Sequence, residues 1–221
     1  MASIKLKHAS GNSTILNSPA ANPSSDVTLK LPSTTGSAGQ VLQVASANHS
    51  STNAELEFVA AGGGITEADL WRLTTTLSLS NQTHTTLTSN WERPDAANDG
   101  FNYLGTGMSV DGSGFWTFPS TGYWYITFNV VWYANGNGSG ANWIYIYATE
   151  NNSTYATQSL QGNSSATNEI MGSNVAALVD VTSVSNVKVK FNGYAGAANQ
   201  QLYGTSTQNR TYATFTRLAD T

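Results

Sequence analysis

The chain has 221 residues, a formal net charge of −4, only 10% charged residues and no cysteine. Its close lysine pairs, Lys5 with Lys7 and Lys188 with Lys190, alternate along strand-like runs and are interpreted as solvated strand faces. The sequence therefore excludes electrostatic binding to nucleic acid, which needs clustered positive charge. It also excludes a disulfide framework, and no apolar run approaches the roughly 20 residues of a membrane span.

Residues 1–60 are predicted to form short strands separated by loops. "SIKLKHASGNSTIL" alternates apolar and polar residues around a "GN" turn, "VTLKLP" ends at Pro32, and "VLQV" follows a flexible stretch. These strands contain few large apolar side chains, and a segment of about 60 residues buries too little surface to be stable alone. We therefore expect an extended, strand-rich anchor that other copies of the chain or a docking partner stabilise.

Residues 61–68 are predicted to form a glycine-rich hinge. Gly62, Gly63 and Gly64 give the backbone its greatest conformational freedom at this point. Thr66 and Asp69 have the spacing of a helix capping box, so a helix of one or two turns is an alternative for the residues that follow.

Residues 69–221 are predicted to be one all-β domain, either a sandwich or a jelly roll. Polar turn clusters such as "NGNGSG" and "DGSG" separate many short segments of strand-forming residues. In chain order, the candidate strands are "WRLTTTLSLS", "GMSV", "GFWTF", "GYWYITFNVVWY", "NWIYIYAT", "YATQSL", "VAALVDV", "NVKVKFNGYA" and "RTYATFTRL".

The segment "GYWYITFNVVWY" has large side chains on both faces, since successive residues of a strand point to opposite sides. We expect its more apolar face to fill the core; the residues of that face are Trp124, Ile126, Phe128, Val130 and Trp132. The other face begins with Tyr123 and Tyr125. Tyrosine suits a surface buried against a partner, because it covers a large area and keeps a hydroxyl for a hydrogen bond. The alternative is that these tyrosines only cover the sheet.

The start of this strand resembles the signature of the complement-globular-head and tumour-necrosis-factor superfamily. The signature's aromatic–Pro–x–x–Gly turn matches Phe118, Pro119 and Gly122, after which aromatic residues alternate along a strand. Trp124 and Ile126 stand where the signature has Tyr and Phe. "LVDVTSVSNVKVKF" and "YATFTRL" resemble the family's later strands, although its usual Gly-Asp turn is absent.

This resemblance covers residues 69–221 and implies a jelly-roll head that assembles as a homotrimer. In the family, the strand sits in the inner sheet, whose outer face packs around a threefold axis. The resemblance therefore favours Tyr123 and Tyr125 as trimer-interface residues over tyrosines that only cover the sheet.

The N-terminal segment carries a second resemblance. "SIKLKHASGN", "NPSSDVTLKLPS" and "GSAGQVLQV", in that order within residues 3–45, resemble the opening segments of tail-fibre and related virion proteins of tailed bacteriophages. The resemblance implies a virion structural protein that is assembled in the host cytoplasm. Residues 1–60 would attach to other virion proteins, and the C-terminal domain would face outward.

The sequence contains no pattern typical of catalysis, so we expect no enzyme, cofactor or resident metal. It has no G-x-S-x-G motif, and its three histidines, His8, His49 and His84, lack metal-ligand spacing. The loop "ERPDAANDG" contains Glu92, Asp95 and Asp99. These acids could bind Ca²⁺ or act as a glycosidase pair, but a solvated turn is the favoured interpretation.

Aromatic residues near loops could stack on sugar rings, although packing within the sheet is the default interpretation for each. The candidates are Trp91, Trp143, Tyr145, Tyr147, Tyr155, Tyr194 and Tyr203. In "NWIYIYAT" either face of the strand could be the core face.

Two functions remain open at this level. The first is a trimeric fibre of the tail or capsid whose head adheres to a glycan or protein of the host surface. The second is a capsid decoration or cement protein that stabilises the particle without binding a receptor. A polysaccharide depolymerase is disfavoured, because such enzymes tend to be long β-helices with clustered acids and this chain is short and poor in acids.

Overall fold

The computed structural model describes residues 3–7, 13–17, 27–45, 50, 53–60, 64–94, 103–136 and 140–221. All regular secondary structure in these residues is β-strand, which confirms the all-β prediction. The chain divides into an N-terminal unit, Met1–Gly64, and a C-terminal unit, Ile65–Thr221. Within the described residues, no helix could span a membrane.

The described residues of the N-terminal unit form two small sheets. Its strands are β1 (Ser3–Lys7), β2 (Ser13–Asn17), β3 (Thr28–Lys30), β4 (Gln40–Val44) and β5 (Asn53–Ala60). β1 and β2 form an antiparallel hairpin, while β5 pairs with β3 in parallel and with β4 antiparallel. The sequence analysis missed β5, although the alternation of Ala54, Leu56 and Phe58 with polar residues is the signal that could have identified it.

The large apolar side chains of the N-terminal unit are mostly exposed. Ala45 is the one buried hydrophobic residue among those described in this unit. The exposed ones are Val27, Leu29, Leu31, Val41, Leu42 and Val44. Because these side chains occupy both faces of a strand such as β4, the described residues of this unit bury little apolar surface in a single copy.

The described residues of the C-terminal unit form fourteen further strands. They are β6 (Ala68–Leu73), β7 (Thr75–Ser78), β8 (His84–Thr86), β9 (Trp91–Glu92), β10 (Tyr103–Leu104), β11 (Ser109–Val110), β12 (Trp116–Thr117), β13 (Gly122–Ala134), β14 (Gly140–Thr149), β15 (Ala156–Ser165), β16 (Ile170–Val181), β17 (Lys188–Tyr194), β18 (Gln200–Thr205) and β19 (Tyr212–Ala219).

These strands form two antiparallel sheets. The eight-stranded sheet has the order β10-β6-β19-β13-β18-β7, with β16 paired to β13 and β9 paired to β6. The six-stranded sheet has the order β11-β12-β17-β14-β15, with β8 paired to β17. The chain crosses between the sheets after β7, β8, β10, β12, β13, β15, β16 and β17. Strands β6-β19-β13-β16 of one sheet and β8-β17-β14-β15 of the other make up a jelly-roll sandwich.

β13 is the central strand of the eight-stranded sheet. It pairs with β16 along twelve residues on one side, and with β19 and then β18 on the other. Its inward side chains are at most 2% exposed; they are Trp124, Ile126, Phe128, Val130 and Trp132. The core of the unit therefore includes the apolar face that the sequence assigned to it, as expected for a period of two.

Aromatic rings fill the centre of the sandwich around Trp116. The centroid of Trp116 lies 5.1–5.8 Å from those of Trp71, Trp91, Phe191 and Phe215. The Nε1 of Trp91 also donates to the carbonyl of Leu87 at 3.1 Å. Trp91, one of the sugar-stacking candidates, thus packs against the core.

The predicted alternative of a short helix after Thr66 is wrong, because Ala68–Leu73 forms β6. The carboxylate of Asp69 is buried and accepts hydrogen bonds from Arg93 Nε at 3.0 Å and from the backbone N–H of Met108 at 2.6 Å. Tertiary partners of Asp69 therefore replace the local capping interaction that its spacing predicted.

Candidate interaction surfaces

The outward face of β13 and β16 presents exposed apolar and aromatic side chains, and we call it the tyrosine face. Tyr123 and Tyr125 are 39% and 43% exposed, and Leu178, opposite Tyr125 on β16, is 58% exposed. Ile170, opposite Tyr133, is also exposed. Such a group of large apolar side chains in one sheet face is typical of an interaction surface.

The polar groups of the tyrosine face bond to one another. The hydroxyls of Thr127 and Thr214 are 2.6 Å apart, and Asn129 Nδ2 donates to Thr127 Oγ1 at 3.1 Å. Asp180 is the one charged residue among the outward positions of β13 and β16. This face can therefore be buried against another protein surface with little loss of charge hydration.

The outward face of the six-stranded sheet carries a second surface, which we call the aromatic row. It consists of Trp143, Tyr145, Tyr147, Tyr194, His84, Lys190, Tyr155 and Phe115. On β14, the alternate residues Ile144 and Ile146 are fully buried. The face of "NWIYIYAT" that contains Ile144 and Ile146 therefore packs into the core, and the face with the aromatic residues points outward.

Trp143 lies flat on the neighbouring strand at one end of the aromatic row. It pairs in register with Gly162 on β15 and with Tyr194 on β17. A Cβ atom at Gly162 would come within 2.8–3.0 Å of three atoms of the six-membered ring of Trp143. The glycine therefore lets one face of the indole rest on the sheet, while the side chain remains partly exposed.

His84 links this end of the row to its middle. The imidazole centroid is 5.0 Å from the ring of Tyr194 and 5.0 Å from the ring of Tyr145. Tyr145 in turn stacks on Tyr147 with centroids 5.5 Å apart. The rings thus form a continuous line across β8, β17 and β14.

Lys190 occupies the other end of the row among three rings. Its Nζ lies 4.4 Å from the ring centroid of Tyr155, 5.4 Å from that of Tyr147 and 5.8 Å from that of Phe115. Phe115 and Tyr155 stack with centroids 5.1 Å apart. Asp111 fixes the turn before Phe115, since its Oδ1 accepts from the backbone N–H of Phe115 at 3.0 Å. Cation–π attraction to these three rings holds the ammonium group of Lys190 in place.

Two tyrosines of the row have raised pKa values. Burial raises the pKa of Tyr155, and the nearby carboxylate of Asp111 raises it further. Burial likewise raises the pKa of Tyr145, with Tyr147 and Tyr194 adding to the effect. Both hydroxyls are therefore neutral at physiological pH.

The acidic loop at residues 92–100 shows no metal centre in its described part. Glu92 Oε1 accepts from the buried Arg72 Nε at 2.9 Å, which commits this carboxylate to an ion pair. Asp95 and Asp99 lie outside the described residues. In the part of the chain that the structure describes, no three His, Asp or Glu side chains are grouped as metal ligands would be.

Several other predicted features also lie outside the described residues. These are His8, His49, Gly62, Gly63 and residues 137–139 of the loop between β13 and β14. Tyr203, another sugar-stacking candidate, stacks on Tyr133 at 5.1 Å in the eight-stranded sheet and lies beneath Arg210.

The sequence analysis did not identify Phe115, Lys190 or Gly162 as parts of an interaction surface, although it placed Lys190 on a solvated strand face. The alternation of Lys188 and Lys190 indicated their common face correctly, but their contacts depend on how β17 pairs with β14 and β12. Strand register between distant segments is not visible in local patterning.

No protein-family model and no curated protein sequence matches this chain. Among solved structures, Eiger TNF from S. frugiperda matches with a TM-score of 0.50 and 12% identity, covering 70% of this chain and 93% of that one. Murine APRIL at pH 5.0 matches with a TM-score of 0.50 and 12% identity, covering 69% and 98%. The PRD1 vertex protein P5 has a TM-score of 0.47 and 17% identity, covering 71% and 99%. The first two likenesses show the fold alone, a TNF-like jelly roll, as the sequence resemblance predicted.

Proposed function

We propose that this protein is a non-enzymatic structural component of a bacteriophage virion. Its C-terminal unit forms a homotrimeric head that adheres to the host surface. Residues 1–60 attach the head to other virion proteins, and residues 61–68 contain the hinge between them.

The tyrosine face is the observation that carries the proposal. Tyr123, Tyr125 and Leu178 are large, largely apolar and exposed, and their neighbours on β13 and β16 are almost uncharged. Interface cores are enriched in tyrosine and depleted of charge in the same way. The resemblance of residues 69–221 to trimeric jelly rolls supports three copies around this face.

The N-terminal unit supports attachment to other chains. Its exposed Leu29, Leu31 and Leu42 leave apolar surface that a single copy does not cover. The resemblance of residues 3–45 to the opening segments of phage fibre proteins supports other virion proteins as the covering partners. Gly64 has a φ of +115°, a backbone state that glycine adopts without strain, which is consistent with a hinge.

Labelling this chain on purified phage particles tests the proposal. We expect the label on a fibre-like projection, and we expect the purified full-length protein to bind host cells and to compete with phage adsorption. A label distributed over the capsid, together with no affinity for host cells, would instead favour a decoration protein. Particles without the label would refute the virion assignment.

A further inference from the structure

The aromatic row is a surface for which the proposed trimer supplies no partner. It lies on the six-stranded sheet, whereas the tyrosine face belongs to the eight-stranded sheet. Its rings at Trp143, Tyr145, Tyr147 and Tyr194 are all partly exposed rather than buried. A contiguous exposed aromatic surface on a soluble domain is typical of a binding site.

Trp143 provides a flat apolar platform. One face of its indole rests over Gly162, so the opposite face is turned away from the sheet. The face of an aromatic ring carries partial negative charge and attracts the slightly positive C–H groups of an apolar surface. A pyranose ring presents such a C–H surface and, at its rim, hydroxyls for the tyrosine hydroxyls and the imidazole of His84.

The row is elongated, which favours a polymer over a single sugar. Trp143, Tyr145 and Tyr147 follow one strand and together span roughly 13 Å, at about 3.3 Å per residue. Lys190 and the stacked pair Phe115 and Tyr155 extend the row beyond Tyr147. An extended chain of several sugar units can contact both ends of this line.

The charge of the surface favours an acidic polymer. Lys188 and Lys190 are the only Lys, Arg, Asp or Glu residues at outward positions of β8, β12, β14, β15 and β17. Asp111, in the turn before Phe115, brings one carboxylate close to Tyr155, so two ammonium groups face one carboxylate along the row. Neither lysine forms an ion pair within the described residues. A sugar carboxylate can therefore bind their ammonium groups without displacing a protein carboxylate.

We propose that the aromatic row binds an acidic polysaccharide, with Trp143 stacking on a sugar ring and Lys188 and Lys190 pairing with uronate carboxylates. This inference rests on the proposed adhesive role of the head and gives the class of its ligand. A single-stranded nucleic acid would also stack on aromatic rings, but its charge density calls for more cations than two lysines in a protein of net charge −4.

Binding of the full-length protein to alginate, a polyuronate, tests the inference, with neutral dextran in parallel. Affinity electrophoresis or calorimetry should detect alginate binding and much weaker dextran binding. Trp143→Ala should weaken alginate binding at least tenfold. Tyr103→Ala, which removes an exposed tyrosine from β10 of the other sheet, should leave it unchanged.

Two further variants keep the test valid if Trp143→Ala does not fold. Gly162→Ala should push the indole off its resting place without deleting it, and should also weaken alginate binding at least tenfold. Lys190→Gln should weaken binding to alginate without strengthening binding to dextran. Melting temperature and near-ultraviolet circular dichroism establish that each variant is folded.

The inference is overturned if the folded wild-type protein binds neither polysaccharide, or if alginate binding is the same in wild type, Trp143→Ala and Gly162→Ala. It is also overturned if oligothymidylate displaces alginate with the same dependence on Trp143. Host-cell binding without alginate binding would reject this inference and leave the adhesive function standing. Alginate binding without host-cell binding would support the polysaccharide site and reject the adhesive function.

Discussion

Gly122 illustrates how a single residue connects the turn at Pro119 to the central strand. Its φ is +135°, and a Cβ atom there would overlap the carbonyl oxygen of Ala219 and the side chain of Arg217. Both constraints require glycine at this position, which physically explains the glycine of the aromatic–Pro–x–x–Gly motif.

Replacing Gly122 with alanine should therefore lower the free energy of unfolding by about 1–3 kcal/mol from backbone strain alone. The clash with the Ala219 backbone should add to that loss. Gly136→Ala is the matched control, since Gly136 has a φ of +77° and a Cβ atom there would meet no other atom within 4 Å. Urea denaturation of both variants measures the difference. Equal losses would show that the close approach to Ala219 carries no cost.

The raised pKa values of Tyr145 and Tyr155 predict a loss of stability at alkaline pH. Around pH 10, the ordinary pKa of tyrosine, the unfolded chain loses protons that the folded chain still binds. The contribution of these two protonated hydroxyls to the free energy of unfolding is complete below that pH. It is lost as the pH rises through the pKa values of the folded state. The double variant Tyr145→Phe, Tyr155→Phe should therefore show a shallower decline in unfolding free energy above about pH 10. An unchanged slope would contradict this expectation.

At the scale of elements, the long strands with strict alternation were predictable from the sequence. β13 and β14 appear where the pattern of apolar residues placed them, because a period of two is visible within a single segment. The short strands β8, β9, β10 and β18 were missed, because two to six residues form a strand only when a neighbour pairs with them. The helix alternative after Thr66 failed for a related reason, since distant partners determine the role of Asp69.

The candidate surfaces were predictable only in part. Alternation assigned Tyr123 and Tyr125 to the face opposite Trp124, and the structure leaves both tyrosines exposed. The aromatic row required the pairing of β14 with β15 and β17, which brings Gly162 beneath Trp143. Local sequence contains no information about that register.

The two faces of β13 predict two different mutant phenotypes. Tyr125→Ser should weaken subunit association, so its melting temperature should depend more strongly on protein concentration than that of wild type. Trp124→Ala should instead lower the unfolding free energy by about 3–5 kcal/mol, as expected for a buried large aromatic residue. Its indole also donates to the carbonyl of Ser120 at 3.2 Å. If Tyr125→Ser retains the wild-type concentration dependence, the tyrosine face is not the interface.

At the scale of the whole molecule, the two units differ in how much apolar surface they bury. The C-terminal unit has a continuous hydrophobic core, whereas Ala45 is the one buried hydrophobic residue described in the N-terminal unit. Ordering a residue costs about 1–2 kcal/mol, and we expect that the small apolar surface buried by the described residues of the N-terminal unit does not offset this cost.

Residues 65–221 alone should therefore fold and trimerise, while residues 1–60 alone should remain unfolded. Circular dichroism and amide-proton dispersion of the two fragments check this expectation. The isolated C-terminal fragment should also fail to enter phage particles that lack the full-length chain. A fragment of residues 1–60 that folds as a monomer would contradict the role given to its partners.

The homotrimer is the central claim, and sedimentation of the full-length protein at micromolar concentration tests it most directly. The account predicts one species with three times the 23.4 kDa mass of a single chain. It also predicts that Tyr125→Ser shifts the protein toward the monomer at the lowest concentrations. A single 23.4 kDa species across the whole concentration range would contradict the claim.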